Sequence, residues 1–575
     1  MDRTAHDVVI IGSGIAGLRA AIEAARASGG KADVAIVTKV QAMRSHSVSA
    51  EGGTAAVLYP ELGDSFESHV FDTVKGSDYL GDQDAIERFV RMMPSEIYQL
   101  EHWGMPWSRR DDGRIAQRWF GGYSYPRATF AEDKVGFHEM QTLYDTCTKY
   151  GDITFYQEWF ATSILVEQGE FRGVTAIEMK SGELSPISAK AGIIATGGAG
   201  RLYSFATYGH SSTADGLAMA YRAGVPLKDM EFVQFHPSGL IPSGILITEG
   251  ARADGGVLLN KDGERFMGKY APEKLELASR DVVSRAMVTE IEQGRGFRDE
   301  ASGYDYLELD LTKIGAAKVK ERLAGIREIA MKFKGIDPVA RPLPVRPVCH
   351  YMMGGLDVDL DGATKIKGLW AAGEAACVSI NGANRLGANS TAECLVWGRI
   401  TGGEAARYAT GRSEAALPKE QVLREEKRIF DGIFHGRGGT NPYDVRDSVQ
   451  GVMDRGAFVY RTEEGLAEAI RATKALRESD FLHCDDRSMR YNTNLTNVLE
   501  VEAMLMAAEA ILRCAFARRE SRGAHARRDY PKRDDVNWLR HSLAFHSAEE
   551  TEGGHVRLDY SPVKITRYQP AERHY

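Results

Sequence analysis

Apolar and polar residues fall in blocks whose period changes along the chain. Asp7-Val8-Val9-Ile10-Ile11 is a short β-branched run that reads as a buried strand. An Ala-rich stretch with helical spacing follows to about Ser28 and is stopped by Gly29-Gly30. Val34-Ala35-Ile36-Val37, the run from Ala191 to Ala195 and Gly368-Leu369-Trp370-Ala371-Ala372 are further strands. From about residue 416 the pattern is helical: Gly465 to Arg477 and Asn497 to Ala517 place apolar and charged residues at helical spacing. Strands and helices that follow one another in this way predict an α/β fold.

Composition narrows the picture. The 575 residues, 43% of them hydrophobic, suffice for a large core and for roughly two to four domains. Lys and Arg total 72 against 80 Asp and Glu, a net charge of −8, which argues against a nucleic-acid binder working through a basic face. The six Cys form no CxxC or CxxxC pair, so ferredoxin modules, zinc fingers and disulfide scaffolds are excluded. The longest apolar candidate, Ala503 to Ala517, is interrupted by Glu509 and Arg513, well short of the roughly 20 residues a spanning helix needs. Met1 to Asp7 runs directly into the first strand without a secretory n-region or h-region. Arg518, Arg519, Arg522, Arg527, Arg528, Lys532 and Arg533 interleave with Glu520, Asp529, Asp534 and Asp535. That cluster reads as a solvated, salt-bridged face or a partner contact.

The 60 Gly bunch into groups. Gly12-Ser13-Gly14-Ile15-Ala16-Gly17 joins a strand to a helix, the context in which GxGxxG lets a backbone approach a pyrophosphate at a helix N-terminus. The acidic residue that usually closes the second strand of a dinucleotide fold is absent; Thr38-Lys39 stands there, so a hydroxyl and an ammonium must serve the ribose. Gly192 to Gly200, with Gly198 in its turn, and Gly368 to Glu374 are two further glycine-bearing strand ends, the second beside a carboxylate. Three such groups far apart in sequence suit a flavin domain assembled from distant segments.

Met43-Arg44-Ser45-His46-Ser47-Val48-Ser49-Ala50-Glu51-Gly52-Gly53 closely resembles the flavin-attachment stretch of the flavoprotein subunits of succinate dehydrogenases and fumarate reductases. Similar stretches run from Asp229 to Gly239, Gly244 to Gly256, Arg346 to Gly355, Gly382 to Gly387 and Glu520 to Arg527, with Ser279-Arg280-Asp281 between them. The resemblance covers essentially the whole chain. It implies covalent FAD on His46 through the flavin 8α carbon, an electron-withdrawing link that raises the potential enough for so poor a reductant as succinate. It further implies that Gly12, Gly14, Gly17, Thr38, Lys39, Ser45, Ser47, Gly52, Gly53, Ala161, Gly198, Asp215, Glu374, Ser390 and Thr391 bind the cofactor.

The implied substrate is a small dicarboxylate. His350 and Arg385 would clamp one carboxylate; His236 and Thr248, with Glu249, would grip and twist the other. Arg280 matches the family's proton-transfer arginine, with hydride passing between substrate and flavin N5. An arginine stays protonated at working pH, so it must be reprotonated at once. Glu249 and Arg252, i and i+3, would do this if helical. The implied architecture is a split Rossmann-like FAD-binding domain, 1–240 and 346–415, with an inserted α+β capping domain, 241–345. A helical domain, 416–540, and a terminal segment, 541–575, follow. Because the chain lacks cluster ligands and a membrane segment, the resemblance implies an iron–sulfur partner, membrane anchor subunits and quinone, with the chain peripheral on the cytoplasmic side of the inner membrane. No nucleic acid is expected.

Several positions depart from the family pattern. Arg252-Ala253-Asp254-Gly255-Gly256 replaces Arg-Gly-Glu-Gly-Gly, and Glu132-Asp133-Lys134-Val135 replaces Ala-Asp-Lys-Thr. Asn381 replaces a common His, Ala388 stands for Ser or Gly, and Ala214 for Gly. Glu51, where many succinate-oxidising members carry Gln, leans towards a low-potential quinone. The competing readings are an L-aspartate oxidase, which lacks the Arg-Ser-His string, a stand-alone soluble fumarate reductase, and a non-catalytic assembly module that would have lost these ionic residues.

Overall fold

The strand Thr4–Ile11 ends in four buried residues, Val8 to Ile11, because it has neighbours on both sides. It pairs in parallel with Val34–Thr38, placing Ile11 opposite Val37, and with Leu184–Ile194, placing Ile11 opposite Ile194. Both faces of such a strand are covered, which explains its continuous apolar run. Outward from this centre lie Ile153–Gln157 on one side and Glu170–Glu178 then Trp159–Glu167 on the other, while Leu369–Ala371 joins Leu184–Ile194. The chain is described over residues 4–414, 416–551 and 554–574 in a computed structural model. Residues 1–3 and the boundary position 415 lie outside these ranges.

The helix Ile15–Ala27 packs on the long helix Asn389–Ala409, which comes from the far end of the flavin-type segment. Their approach is close enough that a Cβ on Gly402 would lie 2.2 Å from the Ala20 carbonyl oxygen, and one on Gly398 2.7 Å from that of Ala16. This contact joins the first and last parts of the layer.

A second, antiparallel sheet runs in the order Ile245–Leu246, Val233–Leu240, Leu343–Met352, Tyr304–Asp310, Val257–Leu259. Residues between Leu240 and Val345 form a separate apolar cluster that includes Phe266, Met287 and Leu309. The strands Val233–Leu240 and Leu343–Met352 carry His236 and His350.

C-terminal to this lie the helices Pro442–Gly456, Glu463–Arg477 and Thr493–Ala517. The last is buried on nearly every side rather than amphipathic, and its Glu509 is neutralised by Arg477. Its other acids, Glu500 and Glu502, are paired as well, with Lys39 and Arg428. The terminal segment forms the hairpin Arg540–Thr551 and Gly554–Pro562, which extends a third sheet through Leu227–Lys228. Among the described residues no helix is long and apolar enough to cross a membrane.

The basic cluster is split: Arg519, Arg528 and Lys532 are exposed, whereas three of its arginines are buried. Arg518, Arg522 and Arg527 are each at most 1% exposed. Arg518 sits 2.6 Å from Glu231 and 2.9 Å from Glu520, and Arg522 is 2.8 Å from both Glu520 and Asp535. The interleaved acids make burial tolerable, since removing one member would strand an unpaired buried charge. The expected salt bridging is present; the expected solvation holds for Arg519, Arg528 and Lys532 and fails for Arg518, Arg522 and Arg527.

Candidate active site

Two adjoining clefts share Ile15, His46, Ser47, Glu374 and Cys394. The first, about 930 Å³, opens where Thr4–Ile11 hands over to the helix Ile15–Ala27. Gly12, Gly14, Thr38, Lys39, Ser45, His46, Ser47, Ala161, Asp215 and Glu374 line it. Gly14 at the N-cap offers no side-chain cap, and of the first helical N–H groups that of Ile15 donates to Ser47 Oγ at 3.3 Å. A Cβ on Gly14 would press on Ser47 Oγ at 3.0 Å and Ser45 Oγ at 3.1 Å. The remaining N–H groups above a glycine floor suit a pyrophosphate, so the site fits an FAD. Gly17 and Gly198 are not in that lining and are closely packed: their Cβ atoms would meet the Gly12 carbonyl at 2.0 Å and the Glu374 carboxylate at 2.7 Å.

Lys39 also faces this cleft, but its ammonium is already paired with Asp215 at 2.5 Å and Glu500 at 2.8 Å. Its charge is thus neutralised locally. Thr38 Oγ1 donates to the Val40 carbonyl and shares a hydrogen bond with Ser13 Oγ at 2.9 Å.

His46 stands between the clefts, stacked on Tyr208 at 4.8 Å. Its Nδ1 accepts from the Gly209 N–H at 3.3 Å and lies 3.1 Å from Ser49 Oγ, whereas Nε2 has no hydrogen bond. Burial, aided by the Arg201 charge, lowers its pKa to about 4. The imidazole is therefore neutral, the state a nucleophilic ring nitrogen requires.

The second cleft, about 1100 Å³, is lined by Gly52, Gly53, Ser390 and Thr391, and by His236, Thr248, Glu249, Arg280, His350 and Arg385. Thr248 caps the short helix Glu249–Ala253, and Arg280 opens the helix Arg280–Glu290. Arg280 Nε donates to Glu249 Oε2 at 2.8 Å; Arg252 Nη2 lies 3.8 Å from the same oxygen. Burial pushes the Glu249 carboxyl up, but Arg280 and Arg252 outweigh it and hold it below its usual range. Arg252 does not line the cleft; it sits behind Glu249 and donates to the Glu276 carbonyl.

Buried donors without partners face one another here. His236 Nδ1 accepts from the Ser238 N–H at 3.2 Å, which leaves the proton on Nε2, a buried atom without a partner. Burial, then Arg280, holds His236 well below neutral. His350 is held down in the same way, with Nδ1 3.0 Å from Thr207 Oγ1 and its ring 5.0 Å from that of His236. Arg385 Nε is likewise unpartnered, and burial lowers the guanidinium only to about 10, so it stays charged. Orphaned buried donors are costly unless something binds them. Their chemistry fits a compact anion with several acceptor oxygens.

Sequence reasoning missed the residues that aim these groups. Gln234 accepts from Arg280 Nη1 at 3.0 Å and donates to the Arg385 carbonyl at 2.7 Å. Tyr351 lies under Arg385, 4.3 Å from its guanidinium, and donates to Glu393, which also takes the Asn381 amide at 2.7 Å. Gly121 N–H donates to Glu249 Oε1. Gln234, two residues before His236 on one strand, carried the only readable signal.

Of the departures, Ala214 and Ala388 hold φ of 70° and 66°, left-handed conformations that cost an Ala about 1–2 kcal/mol and a Gly nothing. Glu51 lines the second cleft with Oε2 buried and unpartnered; burial, then Asp133, pushes its carboxyl well up.

Comparison with known proteins agrees. The family model described as FAD binding domain matches residues 7–391, and that described as Fumarate reductase flavoprotein C-term matches residues 446–575. The chain is 47% identical to the fumarate reductase flavoprotein subunit of Mycobacterium tuberculosis, over 99% of both chains. It is 42% identical to the succinate dehydrogenase flavoprotein subunit of Rickettsia conorii, over 97% of this chain and 95% of that one. A solved Escherichia coli quinol fumarate reductase FrdA chain superposes with a TM-score of 0.95 at 44% identity, covering 100% of this chain and 99% of that one. With its α/β fold and its FAD-binding segment, the chain is an oxidoreductase that belongs to the family of fumarate reductase and succinate dehydrogenase flavoprotein subunits.

Proposed function

We propose that this chain is the catalytic subunit that interconverts succinate and fumarate, with FAD attached covalently to His46. The observation that carries the reading is the two buried, unpartnered donors, His236 Nε2 and Arg385 Nε, in the cleft that also holds the Arg280–Glu249 pair. Bound FAD supplies the two-electron hydride acceptor or donor. His350 and Arg385 hold one substrate carboxylate, while Thr248 and the His236 Nε2–H hold the other. Arg280 delivers the proton to the substrate carbon in the reductive direction and takes it up in the oxidative one. Its ion pair to Glu249, and Arg252 behind, supply the relay that keeps it protonated. The cleft's inserted-segment wall, bearing Thr248, Glu249 and Arg280, excludes water from the reacting carbon.

Electrons must then leave through other chains. Among the described residues no His/Cys/Asp/Glu group could hold a metal, and no helix could span a bilayer. The reading therefore includes an iron–sulfur subunit, membrane anchor subunits and quinone, with this chain peripheral on the cytoplasmic face of the inner membrane. The test is turnover of fumarate and succinate by the purified holoprotein, followed by acid precipitation. Yellow, fluorescent polypeptide with dicarboxylate turnover supports the reading. Flavin lost to the supernatant, with L-aspartate oxidised instead, overturns it in favour of an aspartate oxidase.

A further inference from the structure

We propose that Arg573 is a positioning residue for Arg280, and that the C-terminal segment is the strap that delivers it. The proposal rests on the proton-transfer reading of Arg280 given above.

The strap is held along its length. Gln83 Oε1 accepts from the N–H groups of Thr566, Arg567 and Tyr568 at 3.1, 2.8 and 2.9 Å, and its Nε2 donates to the Tyr568 carbonyl at 2.7 Å. One side chain thus satisfies four backbone groups of an irregular segment, which fixes its path. At the far end Arg573 Nη2 lies 2.9 Å from Asp78 Oδ2 and 2.7 Å from Asp281 Oδ2. Both carboxylates are buried, with side-chain exposures of 5% and 0%.

Neither aspartate lines the substrate cleft, but each adjoins an element that carries part of it. Asp78 follows the helix Phe66–Gly76, whose Gly76 carbonyl takes the Asn384 amide beside Arg385. Asp281 is the residue after Arg280 in the first turn of the helix Arg280–Glu290. Asp281 is also held by Ser279 Oγ and by Arg285 Nη2 at 3.0 Å, and Arg285 in turn donates to the Gly523 carbonyl. Asp281 is therefore held by Ser279, Arg285 and Arg573; Arg573 bridges it to Asp78 directly, while a longer route runs through Arg285 and Gly523, whose N–H donates to Asp78 Oδ2 at 2.8 Å. Without it, two buried carboxylates face each other with one fewer cation between them, and the turn carrying Arg280 moves outward. A displacement near 1 Å at a proton donor costs on the order of 100-fold in rate.

The experiment uses the purified holo-complex with Arg573→Gln and Arg573→Lys. Arg573→Gln is expected to lower kcat for fumarate reduction about 10- to 100-fold. The Kd of malonate, a non-reacting dicarboxylate, should stay within about threefold, because His350 and Arg385 are untouched. The solvent deuterium isotope effect on kcat should rise as proton delivery becomes limiting, and hydrogen exchange should quicken in residues 279–285. Arg573→Lys keeps one cation within reach of both aspartates and should recover most of kcat. Wild-type kcat and isotope effect in Arg573→Gln, or unchanged exchange over 279–285, would overturn the proposal. An Arg280→Ala enzyme that still turned over would refute the proton-transfer role itself; exchange in Arg573→Gln then reports separately whether the tether exists.

Discussion

Replacing Gln234 with Leu removes both ends of the amide that spans the substrate cleft while keeping its volume. Gln234 is 1% exposed, so no bulk water replaces what is lost. Three buried groups lose this partner: Arg280 Nη1, now 3.0 Å from the amide oxygen, and the Arg385 carbonyl and Asn384 Oδ1, 2.7 and 3.1 Å from the amide nitrogen. Each such orphan costs about 1–3 kcal/mol, with the charged group at the upper end. The Arg280 share, about 2–3 kcal/mol, falls on the orientation of the proton donor and corresponds to roughly a 30- to 160-fold loss in kcat/KM. Steady-state fumarate reduction with a reduced viologen dye, on protein with matched flavin content, measures it. A Gln234→Leu enzyme within threefold of wild type, with flavin retained, would show that Arg280 does not depend on this amide.

Three further outcomes follow from separate parts of the molecule. His46→Ser is expected to release all its flavin on acid precipitation, whereas the wild-type polypeptide stays yellow. His541 is buried; burial alone would lower its pKa, but Asp229 at 2.7 Å and Asp82 at 3.2 Å raise it from 6.5 to about 9. A raised folded pKa stabilises below the unfolded value, here by about 3 kcal/mol. The stability gap between wild type and His541→Asn in urea unfolding should therefore be full at pH 6 and close as pH rises through 9. Gly402→Ala forces a Cβ to 2.2 Å from the Ala20 carbonyl oxygen, a backbone atom that cannot swing away. It should cost about 1–3 kcal/mol, read as a lower Tm by calorimetry.

What could be read from the sequence was whatever lies in contiguous strings. The strand, glycine turn and helix from Asp7 to Ser28 and the stretch around His46 meet their chemistry within a dozen or so neighbours, and both line the clefts. The pairing of Lys39 was not legible, because Glu500, one of its partners, is distant in sequence. Arg518, Arg522 and Arg527 looked solvated because charge density along a chain does not reveal that Glu231 and Glu520 pair the first two, and Asp529 the third, with all three guanidinium groups buried. Thr207, Tyr208 and Gly209 left no pattern at all: one hydroxyl, one ring face and one N–H orient His350 and His46. The terminal hairpin was missed as well, since the residues from Arg540 to Pro562 are half polar and pair mainly with each other.

On the proposed reading, Arg280 is the group that makes this flavoprotein a dicarboxylate oxidoreductase. Protein-film voltammetry of the wild-type holoprotein and of Arg280→Ala tests it most directly. Wild type should give catalytic currents with both fumarate and succinate; Arg280→Ala should show only the non-turnover flavin signal. A wild-type film indifferent to both dicarboxylates, or an Arg280→Ala film with undiminished current, would contradict the account.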